Sequence, residues 1–97
     1  MDPNGSRFSG TRATKAFKRD LKRAPPNIRQ AAWTAIEDLI AGRSAGKHRM
    51  HSLGGYYPTI YKIDVFSNRS WQISFNIDGA VLVLRRLAPH RVMDRSP

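Results

Sequence analysis

The sequence predicts an α+β domain in which two N-terminal helices pack on a three- to four-stranded, mainly antiparallel sheet. Two observations favour this class. Apolar residues recur at helical spacing in the first half of the chain, whereas the second half alternates apolar and polar residues as strands do. The 97 residues are enough for one compact domain, which we assign to residues 7–97. Residues 1–6, "MDPNGS", are interpreted as a disordered leader or the remnant of an expression tag.

The first helix is predicted over residues 11–23. Within this range Ala13, Phe17 and Leu21 follow one another at intervals of four, which places them in one apolar stripe. Lysine and arginine cover most of the remaining surface. The sequence "APPN" should end the helix, because proline lacks the N–H that continues the hydrogen bonding and also disfavours a helical residue before it.

The second helix is predicted over residues 26–41. A proline in its first turn and Gly42 after its last turn match the usual preferences at the two ends of a helix. Its apolar positions recur at intervals of three and four, and they are Ile28, Ala32, Ala35, Ile36, Leu39 and Ile40. Residues 42–55, which contain four glycines and several basic side chains, are interpreted as a loop.

The second half supplies the strands. "YYPTIYKIDVF" is rich in β-branched and aromatic residues, "SWQISFNI" alternates strictly, and the nearly continuous apolar run "AVLVLRRL" is typical of an interior strand. Asp78 and Gly79 form a strong signal for a two-residue hairpin turn, which would place Ile77 opposite Ala80. In that register Gln72 faces Arg85, and Arg85 points away from the helices on an open sheet face.

Composition favours a polyanionic partner. Lysine and arginine number 17 against 7 acidic residues, which gives a formal net charge of +10. Nucleic acid is therefore the expected ligand. Cysteine is absent, so disulfides and thiolate zinc sites are excluded, and we see neither a secretory signal nor a long apolar span. We expect a cytoplasmic protein.

The ending "LRRLAPHRVMD" suggests a site that handles phosphate. Arg85 offers a planar fork of donors, His90 can donate or accept a proton, and the loop with Lys47, Arg49 and His51 can fold near them. RNA cleavage by attack of the 2′-hydroxyl needs a base, cations on the phosphorane and an acid for the 5′-oxygen. This chemistry needs no metal and no cofactor.

Other interpretations of these residues compete with catalysis. The basic loop could bind phosphates without chemistry, and Arg85 could form a structural salt bridge. The three histidines His48, His51 and His90 make a poor metal site, because the surroundings are cationic and no acidic ligand lies beside them in the sequence. Trp71 could stack on a base, although its place in the alternating strand favours core packing.

The order of the motifs resembles the RelE/ParE superfamily of type II toxin–antitoxin toxins. The resemblance covers about residues 7–94 and rests on "KAFKRDLKR", "AIEDLIAG", "HSLGG", "SWQISFNIDG" and "VLVLRRLAPH". Within the superfamily the chain is most similar to the YafQ-type branch, with RelE-like lysine positions near Lys47 and Arg49. This resemblance implies a ribosome-dependent mRNA endonuclease that a cognate antitoxin neutralises, with the 70S ribosome and mRNA as further partners.

The resemblance also implies roles for individual residues. His90 would be the general acid, His51 a base or a substrate-orienting group, and Arg85 the cation that stabilises the phosphorane. The remaining RNA- or phosphate-binding candidates are Lys47, Arg49, Lys18, Lys22 and Arg91.

The sequence departs from the YafQ pattern on the middle strands. Asp64 and Ser70 stand where YafQ-like toxins carry a histidine and an aspartate, so both His51 and Asp64 are candidates for the base. Two other functions fit the same resemblance and charge. One is a ParE-like inhibitor of DNA gyrase without catalysis, and the other is a basic RNA-binding module without activity.

Overall fold

The computed structural model describes residues 8–43 and 48–97, in which three helices and a five-stranded mixed sheet form an α+β fold. The elements follow the chain in the order β1 (Gly10–Ala13), α1 (Lys15–Arg23), α2 (Pro26–Ile40), β2 (His51–Leu53), β3 (Ile60–Asp64), β4 (Trp71–Asp78), β5 (Val81–Pro89) and α3 (His90–Met93). The α+β class is confirmed. The leader assigned to residues 1–6 lies outside the described residues.

The sheet has the strand order β1-β5-β4-β3-β2. Strand β1 runs parallel to β5, and the other neighbouring pairs are antiparallel. The described part of the chain therefore has five strands, one of them in a parallel pair, where three or four were expected. It also has a third helix at its C-terminal end. None of the helices in residues 8–43 and 48–97 is long and apolar enough to cross a lipid bilayer.

Helix α1 begins at Lys15, four residues later than its apolar spacing predicted. Residues 11–13 belong to β1, and Thr14 precedes the helix as its N-cap. The Thr14 hydroxyl accepts a hydrogen bond from the Phe17 N–H at 3.1 Å and donates one to the Arg85 carbonyl at 2.8 Å. A threonine at this position suits both an extended backbone and a helix cap, so the chain changes from strand to helix there.

The second helix, Pro26–Ile40, confirms the predicted element to within one residue. Together with Phe17 of α1, its apolar stripe packs on one face of the sheet and forms the core. The fully or nearly fully buried core residues from the sheet are Ile63, Ile73, Phe75, Leu82, Leu84 and Leu87. On this face the rings of Tyr61 and Phe75 stack with their centroids 5.5 Å apart.

Part of the predicted basic loop is a strand. His51–Leu53 pairs with β3 at the edge of the sheet, with His51 opposite Lys62 and Leu53 opposite Ile60. Three residues are too few to show an alternating pattern, so the pairing with β3, rather than the local sequence, defines this strand.

The hairpin register differs from the prediction by one residue. Asp78 pairs with Val81 and Ile77 with Leu82, so the turn consists of Gly79 and Ala80. Gly79 has a φ of 60°, whereas Ala80 does not adopt positive φ. A turn with glycine at its first central position needs positive φ only there, so Asp78 remains in the strand.

A bulge in β5 produces a second change of register. Phe75 is opposite Leu84 but Ser74 is opposite Arg86, so Arg85 is the extra residue. The predicted Gln72–Arg85 pair is therefore wrong, because Gln72 is opposite Ala88.

The sheet face away from α1 and α2 is covered rather than open. The C-terminal segment lies over it, with Met93 fully buried and the Lys62 ammonium 3.3 Å from a carboxylate oxygen of Asp94. We call this the polar face, and its inward side chains are Lys62, Asp64, Gln72, Ser74, Asn76 and Arg85.

Replacing the central residue of the apolar core tests this packing. Phe17 is 1% exposed, and Phe17→Ala should lower the free energy of unfolding by about 3–5 kcal/mol, since it leaves a cavity between α1 and the sheet. Urea unfolding followed by circular dichroism measures the loss. Trp33 is 47% exposed, and the control Trp33→Phe should change stability by less than about 0.5 kcal/mol. Equal effects of the two substitutions would contradict the assignment of the core.

Candidate active site

A row of polar residues crosses the sheet on its polar face. His51 of β2 is opposite Lys62 of β3, and Lys62 is opposite Ser74 of β4. Directly paired residues project to the same side, and neighbouring strands lie about 4.8 Å apart. The register therefore brings the His51 imidazole from the edge strand next to Lys62 of the neighbouring strand.

Lys62 is the buried cation of this row. Its side chain is 8% exposed, and its ammonium lies 3.3 Å from Oδ1 of Asp94. The other oxygen of the same carboxylate, Oδ2, lies 3.6 Å from Nδ1 of His90. Asp94 thus links a lysine in the middle of the sheet to the histidine that follows the last strand.

His90 is held by its backbone and half-exposed at its side chain. It begins α3 directly after β5, and its N–H donates to the Ser70 carbonyl at 3.1 Å. The imidazole is 51% exposed and its Nδ1 faces Asp94. With Nδ1 directed at a carboxylate, Nε2 is the ring nitrogen available to a ligand.

One ring nitrogen of His51 is held by a backbone carbonyl, and the other is not. Its Nδ1 lies 2.9 Å from the carbonyl oxygen of Arg49, so Nδ1 carries the donating hydrogen. In the neutral ring Nε2 then has a free lone pair, which can accept a proton. The side chain is partly exposed and reachable by a ligand.

Arg85 is anchored on the polar face by two contacts. Its Nη1 donates to Oδ1 of Asn76 at 2.9 Å, and its Nε donates to the carbonyl of Pro97 at 3.3 Å. No Asp or Glu side chain of the described residues pairs with Arg85, so the structural salt bridge considered from the sequence is not seen, and the guanidinium has further N–H donors for a ligand.

The adjacent arginine has a structural role. Arg86 Nε lies 2.6 Å from Oδ2 of Asp20, and the same oxygen accepts the Leu87 N–H at 3.1 Å. These bonds attach α1 to β5 next to the bulge.

Asp64, the second candidate base, is committed to buried contacts. It is 2% exposed, and its Oδ1 accepts a hydrogen bond from the Gln72 amide at 2.7 Å. Its Oδ2 forms an ion pair with Arg49, 2.9 Å from Nε, but the geometry of this pair is not that of a hydrogen bond. Arg49 has a φ of 46°, an uncommon backbone conformation for a non-glycine residue. These contacts leave His51 as the better-placed proton acceptor.

His48 belongs to a separate buried cluster. Its Nε2 lies 2.9 Å from Oδ2 of Asp38 on α2, and its Nδ1 lies 2.8 Å from the Asp64 carbonyl. Arg43 pairs with the same Asp38 carboxylate at 3.2 Å. This cluster fastens the end of α2 to β3. Across the described residues, no group of three or more His, Cys, Asp or Glu side chains is arranged to hold a metal ion.

Three of the remaining phosphate-binding candidates lie on the surface. Lys18 and Lys22 are exposed on α1, and Arg91 is exposed on α3. None of these three forms an ion pair in the part of the chain that the structure describes. Lys47 lies outside the described residues.

Sequence reasoning missed Lys62 and Asp94. A lysine inside the apolar strand "TIYKIDV" is an anomaly that points to a polar face, and Asp94 stands four residues after His90, the spacing at which helical side chains meet. Neither signal indicated that the two residues contact each other, since they lie 32 positions apart.

Removing the Asp64 carboxylate should destabilise the protein. Asp64→Ala deprives the buried Gln72 amide of its acceptor, which should cost about 1–3 kcal/mol in urea unfolding. Asp78 provides a matched control, because its ion pair with Arg12 is exposed at 72% and 62% of the two side chains. Asp78→Ala should cost less than about 1 kcal/mol. A loss for Asp64→Ala no larger than that of the control would contradict the structural role of Asp64.

The fold of the chain matches solved toxin structures along nearly its whole length. RelE in the RelB–RelE antitoxin–toxin complex from Methanococcus jannaschii is 26% identical, with a TM-score of 0.67 over 89% of this chain and 99% of that one. The Escherichia coli DinJ–YafQ toxin–antitoxin complex gives 15% identity and a TM-score of 0.70 over 86% of this chain and 93% of the other.

A third structure, the archaeal RelE–RelB complex from Pyrococcus horikoshii OT3, gives 13% identity and a TM-score of 0.63 over 84% of this chain and 93% of that one. No protein-family model matches the sequence, and no curated protein does either. The chain has the fold of the RelE and YafQ toxins, which confirms the resemblance to the RelE/ParE superfamily, and to its YafQ/RelE branch, that the sequence indicated.

Proposed function

We propose that this protein is the toxin of a type II toxin–antitoxin pair and that it cleaves mRNA on the ribosome. The reaction is a metal-independent attack of the RNA 2′-hydroxyl on the adjacent phosphate. The observation that carries the proposal is the link from Lys62 through Asp94 to His90, on the same sheet face as Arg85, which pairs with no carboxylate side chain of the described residues.

The position of Asp94 supports an anion site. Its carboxylate lies between the buried Lys62 ammonium and the His90 imidazole, at 3.3 and 3.6 Å, and is itself 52% exposed. A phosphate has the same sign of charge and presents more oxygens, so it can compete with Asp94 for these two groups. A half-exposed carboxylate loses little on release into water, which makes the exchange feasible.

The proposed reaction assigns one task to each group. His51 Nε2 takes the proton of the 2′-hydroxyl, and the 2′-oxygen forms a bond to phosphorus. Lys62 and Arg85 stabilise the added negative charge of the phosphorane. His90 gives a proton to the 5′-oxygen as its bond to phosphorus breaks. The products are a 2′,3′-cyclic phosphate and a free 5′-hydroxyl.

The basic surface would bind the ribosome. Lys18 and Lys22 lie one helical turn apart on α1, and Arg91 lies beside His90 on α3. Neutralising phosphates with such side chains releases counterions and makes affinity strongly dependent on salt. With a formal net charge of +10, the chain suits ribosomal RNA as its partner in the cytoplasm.

A cognate antitoxin is the second proposed partner. The M. jannaschii and E. coli proteins of the same fold were both solved as complexes with an antitoxin. An acidic or amphipathic antitoxin segment would neutralise this chain by covering the basic helices or the polar face.

Primer extension on an mRNA programmed into 70S ribosomes tests the function directly. Discrete cuts that require the ribosome support the endonuclease. Intact mRNA, together with inhibition of DNA supercoiling by gyrase, would instead identify the ParE-like function. Salt-dependent RNA binding without either effect would identify a non-catalytic RNA-binding module.

His90→Ala should slow ribosome-dependent cleavage by about 100-fold or more, because the leaving 5′-oxygen loses its acid. Single-turnover rates from primer extension measure the change. Arg12, exposed beside the hairpin turn, serves as the control, and Arg12→Ala should cleave at nearly the native rate. Unchanged cleavage by folded His90→Ala would remove this residue from the mechanism.

Lys62→Met should lower the cleavage rate by about 100- to 1000-fold, the range expected when one charge-stabilising donor is lost. Methionine fills much of the space of the lysine stem, and the Asp94 carboxylate left behind is half-exposed, so the fold should persist. Lys15→Met, which removes an exposed lysine of α1, is the matched control and should leave the rate nearly unchanged. Equal rates for the two variants would contradict a role of Lys62 at the reacting phosphate.

A further inference from the structure

We propose that a trough on the helix side of the sheet, at the ends of β4 and β5, binds one unstacked base of single-stranded RNA, with Trp71 as its stacking surface. The trough has apolar walls formed by Ala24, Trp71, Pro89 and Val92 and a basic rim formed by Arg23, Arg91 and Arg95. This base site deepens the proposed function, and it rests on that function for its place next to the cleaved phosphate.

Two adjoining cavities form the trough. One, of about 170 Å³, lies between the end of α1 and the ends of β4 and β5, with Trp71 and Val92 among its lining residues. The other, of about 380 Å³, is lined by Arg91, Val92, Arg95 and Ser96. Val92 lines both cavities, so they lie next to each other at α3, and the second one carries the arginines of the C-terminal segment.

The charges around the trough differ between its wall and its rim. Arg86 lines the inner cavity but is neutralised by Asp20 at 2.6 Å. By contrast, Arg23, Arg91 and Arg95 form no ion pair in the ranges 8–43 and 48–97. A ligand that fits this pattern is flat and apolar in its inner part and negatively charged at its outer part.

A nucleotide of a single strand has this distribution. Its base presents a π-face to an aromatic side chain, and its phosphates contact arginines at the rim. Stacking tolerates any base, so this site provides affinity and position rather than base identity. The sequence left Trp71 open between packing and stacking. In the structure it packs against the core and also lines the cavity.

The trough lies near His90, on the helix side of the sheet end. Trp71 pairs with Pro89 across the β4–β5 ladder, and the next residue of the chain is His90. On α3, Val92 in the trough stands two residues from His90. A base in the trough therefore belongs to a nucleotide next to the phosphate that contacts His90, and stacking it would separate it from its neighbours in the strand.

The two tryptophans allow a direct test with the full-length protein. Trp33→Phe leaves Trp71 as the single tryptophan, and Trp71→Phe leaves Trp33, which is exposed on α2. The probe is a short 2′-O-methyl RNA strand, which cannot undergo 2′-hydroxyl attack. We expect this strand to quench the fluorescence of Trp33→Phe and to leave that of Trp71→Phe nearly unchanged. Quenching of Trp33 alone, or of neither tryptophan, would overturn the proposal.

An abasic strand separates base binding from phosphate binding. It retains the phosphates and lacks the bases, so it should bind about tenfold more weakly to Trp33→Phe and should not quench Trp71. Equal quenching by the two strands would overturn the base site. Equal quenching by a glutamate-rich peptide of the same charge would overturn it too, and would assign the trough to an acidic protein partner.

A substitution at the trough provides an independent measurement. Trp71→Leu should weaken binding of the base-bearing strand by about tenfold and leave binding of the abasic strand unchanged, whereas Trp33→Leu should alter neither. If Trp71→Leu does not fold, the fluorescence titration of Trp33→Phe still decides the question, because it keeps the native Trp71.

The base site and the proposed function can fail separately. Quenching of Trp71 without ribosome-dependent cleavage would keep the base site and reject the endonuclease. Cleavage without quenching would keep the endonuclease and reject the base site.

Discussion

The Asp20 carboxylate connects the helical layer to the sheet at the point where β5 changes register. One of its oxygens accepts from both Arg86 Nε, at 2.6 Å, and the Leu87 N–H, at 3.1 Å. The bulge makes this contact possible, since the extra residue Arg85 lets two adjacent arginines reach different partners. Arg86 attaches α1 to the strand, and Arg85 contacts Asn76 on the polar face.

Most of the acidic residues join neighbouring parts of the fold by pairing with basic groups. Among 7 acidic residues in the chain, Asp20, Asp38, Asp64 and Asp94 each contact a basic group at a junction between elements. Among the residues that the structure describes, Lys15, Lys18, Lys22 and Arg23 of α1 are exposed and form no ion pair. Because carboxylates are few and most of them lie in these contacts, the surface is strongly basic. Such a surface is suited to a polyanionic partner.

The two faces of the sheet differ in the residues that they carry. The face toward α1 and α2 is apolar and carries the core, so its residues are constrained by packing. The polar face holds Lys62 and Arg85 under the C-terminal segment, where water is scarce and a charge acts more strongly than at the surface. Its connection to His90 runs through the half-exposed Asp94, which contacts both Lys62 and His90.

The sequence by itself determined the fold class, the second helix and the core residues of β4 and β5, because hydrophobic periodicity is a local property of the chain. It also pointed to His51, Arg85 and His90 through residue type and resemblance. Only the tertiary structure decided the short or edge strands β1 and β2, the bulge at Arg85 and the contact between Lys62 and Asp94. Each of these depends on pairing between residues distant in the chain, and the energies that select one register over the next arise only when the strands meet.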